Sequence, residues 1–189
     1  LGPTWRPGLP RERHVERSRP SIARGLASGL DAATVLTHPG PDTRPGTYAN
    51  GMAWAARREL LGRHRFYDAS IIGGGDRAIS CAALGAFEHV RAWHELDGSR
   101  YEHYRQWAAP FHDACGGRVG GIPGDLHHLW HGSAGSRKLG SRHAGLRSLG
   151  FDPARDVSTS PGGAWRWSTD KPELHAYVKE YFDARRDEA

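Results

Sequence analysis

Tyr48 to Gly85 reads YANGMAWAARRELLGRHRFYDASIIGGGDRAISCAALG, and in it one carboxylate, Asp76, stands between three glycines and a helix-forming run. Gly73, Gly74 and Gly75 remove side chains from the approach to Asp76, and glycine lets a backbone turn sharply and lie close against a ligand. Ile79, Ala82, Ala83, Ala86, Phe87 and Val90 then recur at three- and four-residue intervals, which predicts one apolar helix face. Asp76 is accordingly expected at a helix N-terminus. Two readings of it coexist there. It can be an N-cap whose oxygen accepts an orphan backbone N–H, or an acid at the edge of a binding site, its ionised form favoured by the helix dipole.

Outward from this stretch the periodicity predicts further helices. Tyr101, Tyr104, Ala108 and Phe111 share one face of a helix over 99–114. A helix over 135–149 would bring Leu139, Arg142, Leu146 and Leu149 together. The last helix has a capping-box-like start in Asp170 and Glu173, Pro172 in its first turn, and a stripe of Leu174, Tyr177, Val178, Tyr181 and Phe182. Between them, 118–131 reads as strand and loop, with turn chemistry at Pro123-Gly124-Asp125. Pro3, Pro7, Pro10, Pro20 and Pro39 leave the first 45 residues extended or looped, with a short helix near 22–30.

The chain of 189 residues is long enough for one domain with a sizeable core. A hydrophobic fraction of 38% and a mean hydropathy of -0.66 imply that part of that length is not core. The formal charge of +5 suits an anionic partner: a nucleotide diphosphate, a lipid surface or nucleic acid. Cys81 and Cys115 are far apart and lack a CxxC spacing, which argues against a disulfide framework or thiolate zinc site and favours a reducing, cytoplasmic compartment. No apolar run has the roughly 18 residues that a spanning helix requires, and no secretory signal pattern opens the chain.

Twelve histidines include one tight cluster, His127, His128 and His131, in HHLWH. Imidazole suits manganese, zinc and related divalent ions. In an extended segment His128 shares a face with Trp130 while His127 and His131 share the other; in a helical one His128 and His131 become neighbours. Arg137 and Arg142 follow closely, and guanidinium groups pair bidentately with phosphate oxygens. The bland readings are surface or hydrogen-bonded histidines, and a solvated helix face.

The order of these pieces resembles the C-terminal half of the catalytic domain of GT-A glycosyltransferases, in the manner of the galactosyltransferase and polypeptide N-acetylgalactosaminyltransferase families. The resemblance runs from Tyr48 to Arg142: a small apolar strand at 48–56, a short helix at 57–61, the turn at Gly73 to Asp76, the following helix, and His127-His128-Leu129-Trp130-His131-Gly132. It implies an α/β fold, a mixed sheet flanked by helices, with the nucleotide-binding first half of the domain absent before Leu1. The corresponding division is an extended segment at 1–47, an acceptor-side and metal-histidine portion at 48–150, and a C-terminal strand, loop and helix at 151–189. Asp76 takes the place of the acid that deprotonates the acceptor hydroxyl in inverting members, while Gly75 stands where those enzymes carry a second acid. His131, with His128 second, is implied as a ligand to a divalent metal, Mn²⁺ by analogy with the family. Gly73, Gly74, Gly75, Arg137 and Arg142 are implied in substrate binding, and Trp54 is either a wall of the sugar pocket or core.

The leading expectation is therefore a metal-dependent, inverting transferase that moves a sugar from a nucleotide-sugar donor to a carbohydrate, glycolipid or peptide acceptor, the piece being inactive alone. A basic nucleic-acid-binding module without catalysis is the alternative. A metal-dependent hydrolase using the histidines with Asp125 is a third reading.

Overall fold

The computed structural model describes residues 19–36, 48–50, 53–126, 138 and 140–184. Over these the chain is helix-rich, with a small two-stranded antiparallel sheet. In chain order the elements are α1 (Ile22–Ala27), α2 (Ala32–Leu36), α3 (Arg58–His64), α4 (Gly75–Ala83), α5 (Phe87–Trp93), α6 (Gly98–Cys115), α7 (Arg142–Ser148), α8 (Pro153–Asp156), β1 (Val157–Thr159), β2 (Trp165–Trp167) and α9 (Pro172–Ala184).

The longest helix, α6, organises the N-terminal packing. Asp97 caps it by accepting from the Arg100 N–H, and Gly116, left-handed at φ 58°, ends it. Tyr104, Ala108 and Phe111 face inward as the periodicity predicts. Against them pack α3, α4 and α5. Trp107 of α6 donates its indole N–H to the His64 carbonyl at the end of α3 (2.8 Å). Ile22, Val35 and Leu36 of α1 and α2 join Tyr67, Ala78, Cys81, Ala82 and Val90 in the same core. A second core gathers Ile72, Leu146, Phe151, Val157, Leu174, Val178 and Tyr181 around α7, α9 and the hairpin. The hairpin pairs Val157 with Trp167, Ser158 with Arg166 and Thr159 with Trp165.

Four local expectations are corrected. The helix after the glycines is two helices. At the end of α4, Gly85 (φ 70°) donates to the Ala82 carbonyl and Ala86 to that of Cys81, the paired bonds that terminate a helix on a left-handed residue. The stripe from Ile79 to Val90 thus spans a break at Gly85. The strand expected over 48–56 is also absent among the described residues. Of its described residues only Ala49 pairs, through its N–H to Pro20 and its carbonyl to Ile22, and 53–57 have no regular structure. Among the described residues no neighbouring strand satisfies the remaining backbone groups, and without a ladder a strand has nothing to hold it. Residues 118–126 likewise form no strand, and the helix expected over 135–149 is observed as Arg142–Ser148.

Among the described residues no helix is long and apolar enough to cross a membrane.

Candidate functional site at the glycine turn

Gly73 and Gly74 both adopt left-handed backbone, φ 95° and 94°, which glycine takes without the clash that a Cβ brings. They reverse the chain directly into α4. Ile71 stands at φ 49° just before them, an outlier for a β-branched residue and a local store of strain.

Gly74, not Asp76, is the N-cap of α4, and no side chain caps the helix. Asp76 falls in the first turn, where its exposed carboxylate accepts the Arg77 N–H through Oδ1 at 2.9 Å. The N-cap assignment is corrected by two residues. In the first turn Asp76 still faces the positive end of the helix dipole.

The space vacated by the glycines is filled from below. A Cβ on Gly73 would fall 3.1 Å from Nη1 of Arg142. One on Gly74 would fall 2.5 Å from Nε2 of His94 and 3.1 Å from Nε2 of His143. Arg142, at the start of α7, is held from α9: its Nη1 donates to the Tyr181 hydroxyl (3.1 Å), while the Tyr177 hydroxyl donates to its carbonyl (2.9 Å). The approach of Tyr177 depends on Gly145, whose missing Cβ would sit 2.2 Å from that hydroxyl.

His94 and His143 stack with ring centroids 4.0 Å apart and planes inclined by 17°. Both are buried. Burial pushes His94 well below the usual imidazole range, reinforced by His143, Arg77, Arg142 and Arg100, and pushes His143 down to about 3 with Arg142 and Arg100 adding to the effect. Arg77 is buried beside them with its guanidinium 4.6 Å over the Trp93 ring. Arg100 donates to the carbonyls of His94 and Glu95.

Of the residues singled out in the sequence, Gly73, Gly74, Gly75, Asp76 and Arg142 meet at this turn. Trp54 is half-buried against the first core, in line with its core reading. Asp125 lies exposed in the irregular segment before 127. His127, His128, His131 and Arg137 fall outside the described residues. His94, His143 and Arg77 were not foreseen. Nothing in the local pattern of Trp93-His94-Glu95 or Arg142-His143-Ala144 marks a histidine that will be buried against a distant glycine.

Among the described residues no three or more His, Cys, Asp or Glu side chains converge as a metal site. A scan against protein-family models finds no match, and neither curated proteins nor solved structures yield one.

Proposed function

We propose that this chain forms the acceptor-side part of a glycosyltransferase of the GT-A kind. The observation that carries the reading is the convergence at one glycine turn of the exposed Asp76 carboxylate and, packed on Gly73, the guanidinium of Arg142. Asp76 Oδ1 holds the Arg77 N–H, and Oδ2 serves the substrate. The Asp76 carboxylate accepts the proton of an acceptor hydroxyl as its oxygen attacks the anomeric carbon. The bond from that carbon to the nucleotide diphosphate breaks, and the electron pair departs with the diphosphate. Arg142 donates hydrogen bonds to the diphosphate oxygens. A divalent ion, for which His131 and His128 remain the proposed ligands, would supply further charge neutralisation when bound.

The test is release of nucleoside diphosphate from a panel of nucleotide sugars by the complete protein with Mn²⁺, comparing Asp76→Asn with the parent. Turnover should fall about 100-fold or more in the variant, with donor affinity and unfolding midpoint unchanged. Absence of release from every donor, or equal rates in the two proteins, overturns the reading. The alternative, a basic nucleic-acid-binding module, draws on Arg57, Arg58, Arg63 and Arg65, all exposed around α3 and none ion-paired with a described residue. Salt-dependent binding of oligonucleotides without sugar transfer would select it.

A further inference from the structure

We infer that the stacked pair of His94 and His143 is an acid-sensitive latch, whose protonation releases α7, and with it Arg142, from the glycine turn. Four observations meet at this pair. The rings lie 4.0 Å apart and are 0% and 5% exposed. None of their four ring nitrogens has a hydrogen-bond partner among the described residues, and the Arg142 Nε is also unpartnered. Both Nε2 atoms abut Gly74, so the pair fills the space beneath the turn. Finally, the two rings belong to opposite sides of the seam between the cores: His94 follows α5, next to Val90 and Leu96 of the first, and His143 precedes Leu146 of the second.

A neutral pair suits such a seam, because two stacked imidazoles bury apolar ring faces. A charged pair does not. The charged side chains acting on these rings are cationic from every side: Arg77 on α4, Arg100 on α6 and Arg142 on α7. The nearby carboxylates are engaged elsewhere. Glu95 pairs with Arg147 at the surface (3.7 Å), Asp97 caps α6, and Asp76 is exposed and binds the Arg77 N–H. From α9, Tyr177 and Tyr181 contribute hydroxyls that bond Arg142 rather than either imidazole. A proton on either ring therefore meets burial, like charge and no acceptor.

The sign follows from linkage. Both histidines have folded pKa values below the ordinary 6.5. The closed seam is thus fully favoured above that value and weakens as pH falls below it, when the opened state binds protons that the closed state cannot. With two rings free to take protons near pH 6.5 after opening, the ratio of open to closed rises on the order of 10³-fold between pH 8 and pH 5. The Arg142–Gly73 contact is lost with the opening, so an anion-pairing side chain leaves the turn that carries Asp76.

The experiment uses the intact chain. Imidazole ¹⁵N and ¹³C signals of His94 and His143 report their protonation, and amide exchange, corrected for intrinsic rates, reports opening of α7 (142–148) against the α6 core (104–111). From pH 8 to pH 5 the α7 opening constant should rise at least about 100-fold while that of the α6 core changes less than tenfold, both rings staying neutral in the closed form. His143→Phe, which keeps an aromatic ring but removes one proton site, should reduce the rise by roughly 30-fold. Closed-state titration of either ring near pH 6.5, or parallel loss of protection in α6 and α7, overturns the latch.

Discussion

Tyr104 of α6 donates its hydroxyl to the Ala78 carbonyl of α4 at 2.9 Å, with both residues wholly buried. The ring also packs edge-on against Tyr67, centroids 5.2 Å apart. Tyr104→Phe keeps that packing and removes only the bond. It should lower unfolding free energy by about 1 kcal/mol, read from the denaturant midpoint at constant m. A midpoint identical to the parent's would mean that the bond adds nothing net.

Two glycine-to-alanine changes should move stability in opposite directions. At Gly74 the backbone is left-handed and a Cβ would meet His94 at 2.5 Å, so Gly74→Ala should destabilise by about 2–4 kcal/mol. At Gly62, exposed within α3 with open space around it, Gly62→Ala should stabilise by about 0.5–1 kcal/mol. Thermal unfolding of both variants, run together, checks the contrast. Equal effects would contradict the packing described beneath the turn.

Asp156 sets a second acid limb, below that of the histidines. Its carboxylate is buried and accepts from Lys171 Nζ, Thr169 Oγ1 and the Asp152 N–H, each at 2.8 Å. Burial opposes its charge, but those hydrogen bonds outweigh burial and hold its pKa below the ordinary 3.8. A depressed carboxylate contributes stability that is present above the unfolded value and lost as pH falls through the folded one. Asp156→Asn should therefore cost about 2–3 kcal/mol at pH 7, and the gap from the parent should narrow as pH falls below the ordinary 3.8. Urea midpoints measured from pH 7 to pH 2 give the answer, and a gap independent of pH would show that the lost charge is not its cause.

The proposed metal role of the histidine cluster is tested by comparing single histidine variants. In the complete protein, His131→Ala should raise the Mn²⁺ concentration for half-maximal turnover by at least about tenfold, with His128→Ala testing the second proposed ligand. His112, whose Nδ1 lies 3.1 Å from the Ala83 carbonyl, provides the comparison. His112→Ala should lower stability while leaving the Mn²⁺ response in place. An identical metal response in the His131 and His112 variants would remove His131 as a ligand.

Local chemistry was legible in the sequence wherever one segment supplies its own evidence. The apolar spacing of Tyr104, Ala108 and Phe111 revealed α6 within a residue of its ends, and Pro172 with the stripe from Leu174 to Tyr181 revealed α9, because a 3.6-residue period needs no knowledge of what lies opposite. The three glycines likewise announced a turn before α4. Tertiary structure alone decided the rest. It split the helix at Gly85, where a left-handed residue interrupts the apolar stripe and His112 packs so closely that a Cβ would lie 2.9 Å away. It left 48–56 without a strand among the described residues, since a strand depends on a neighbour that the segment's own residues cannot name. It also brought Arg142 to Gly73 and stacked His94 on His143. Each of these pairs is far apart in the chain, and their meeting follows from burial of two cores against one turn, a sum over many distant contacts that no local period encodes.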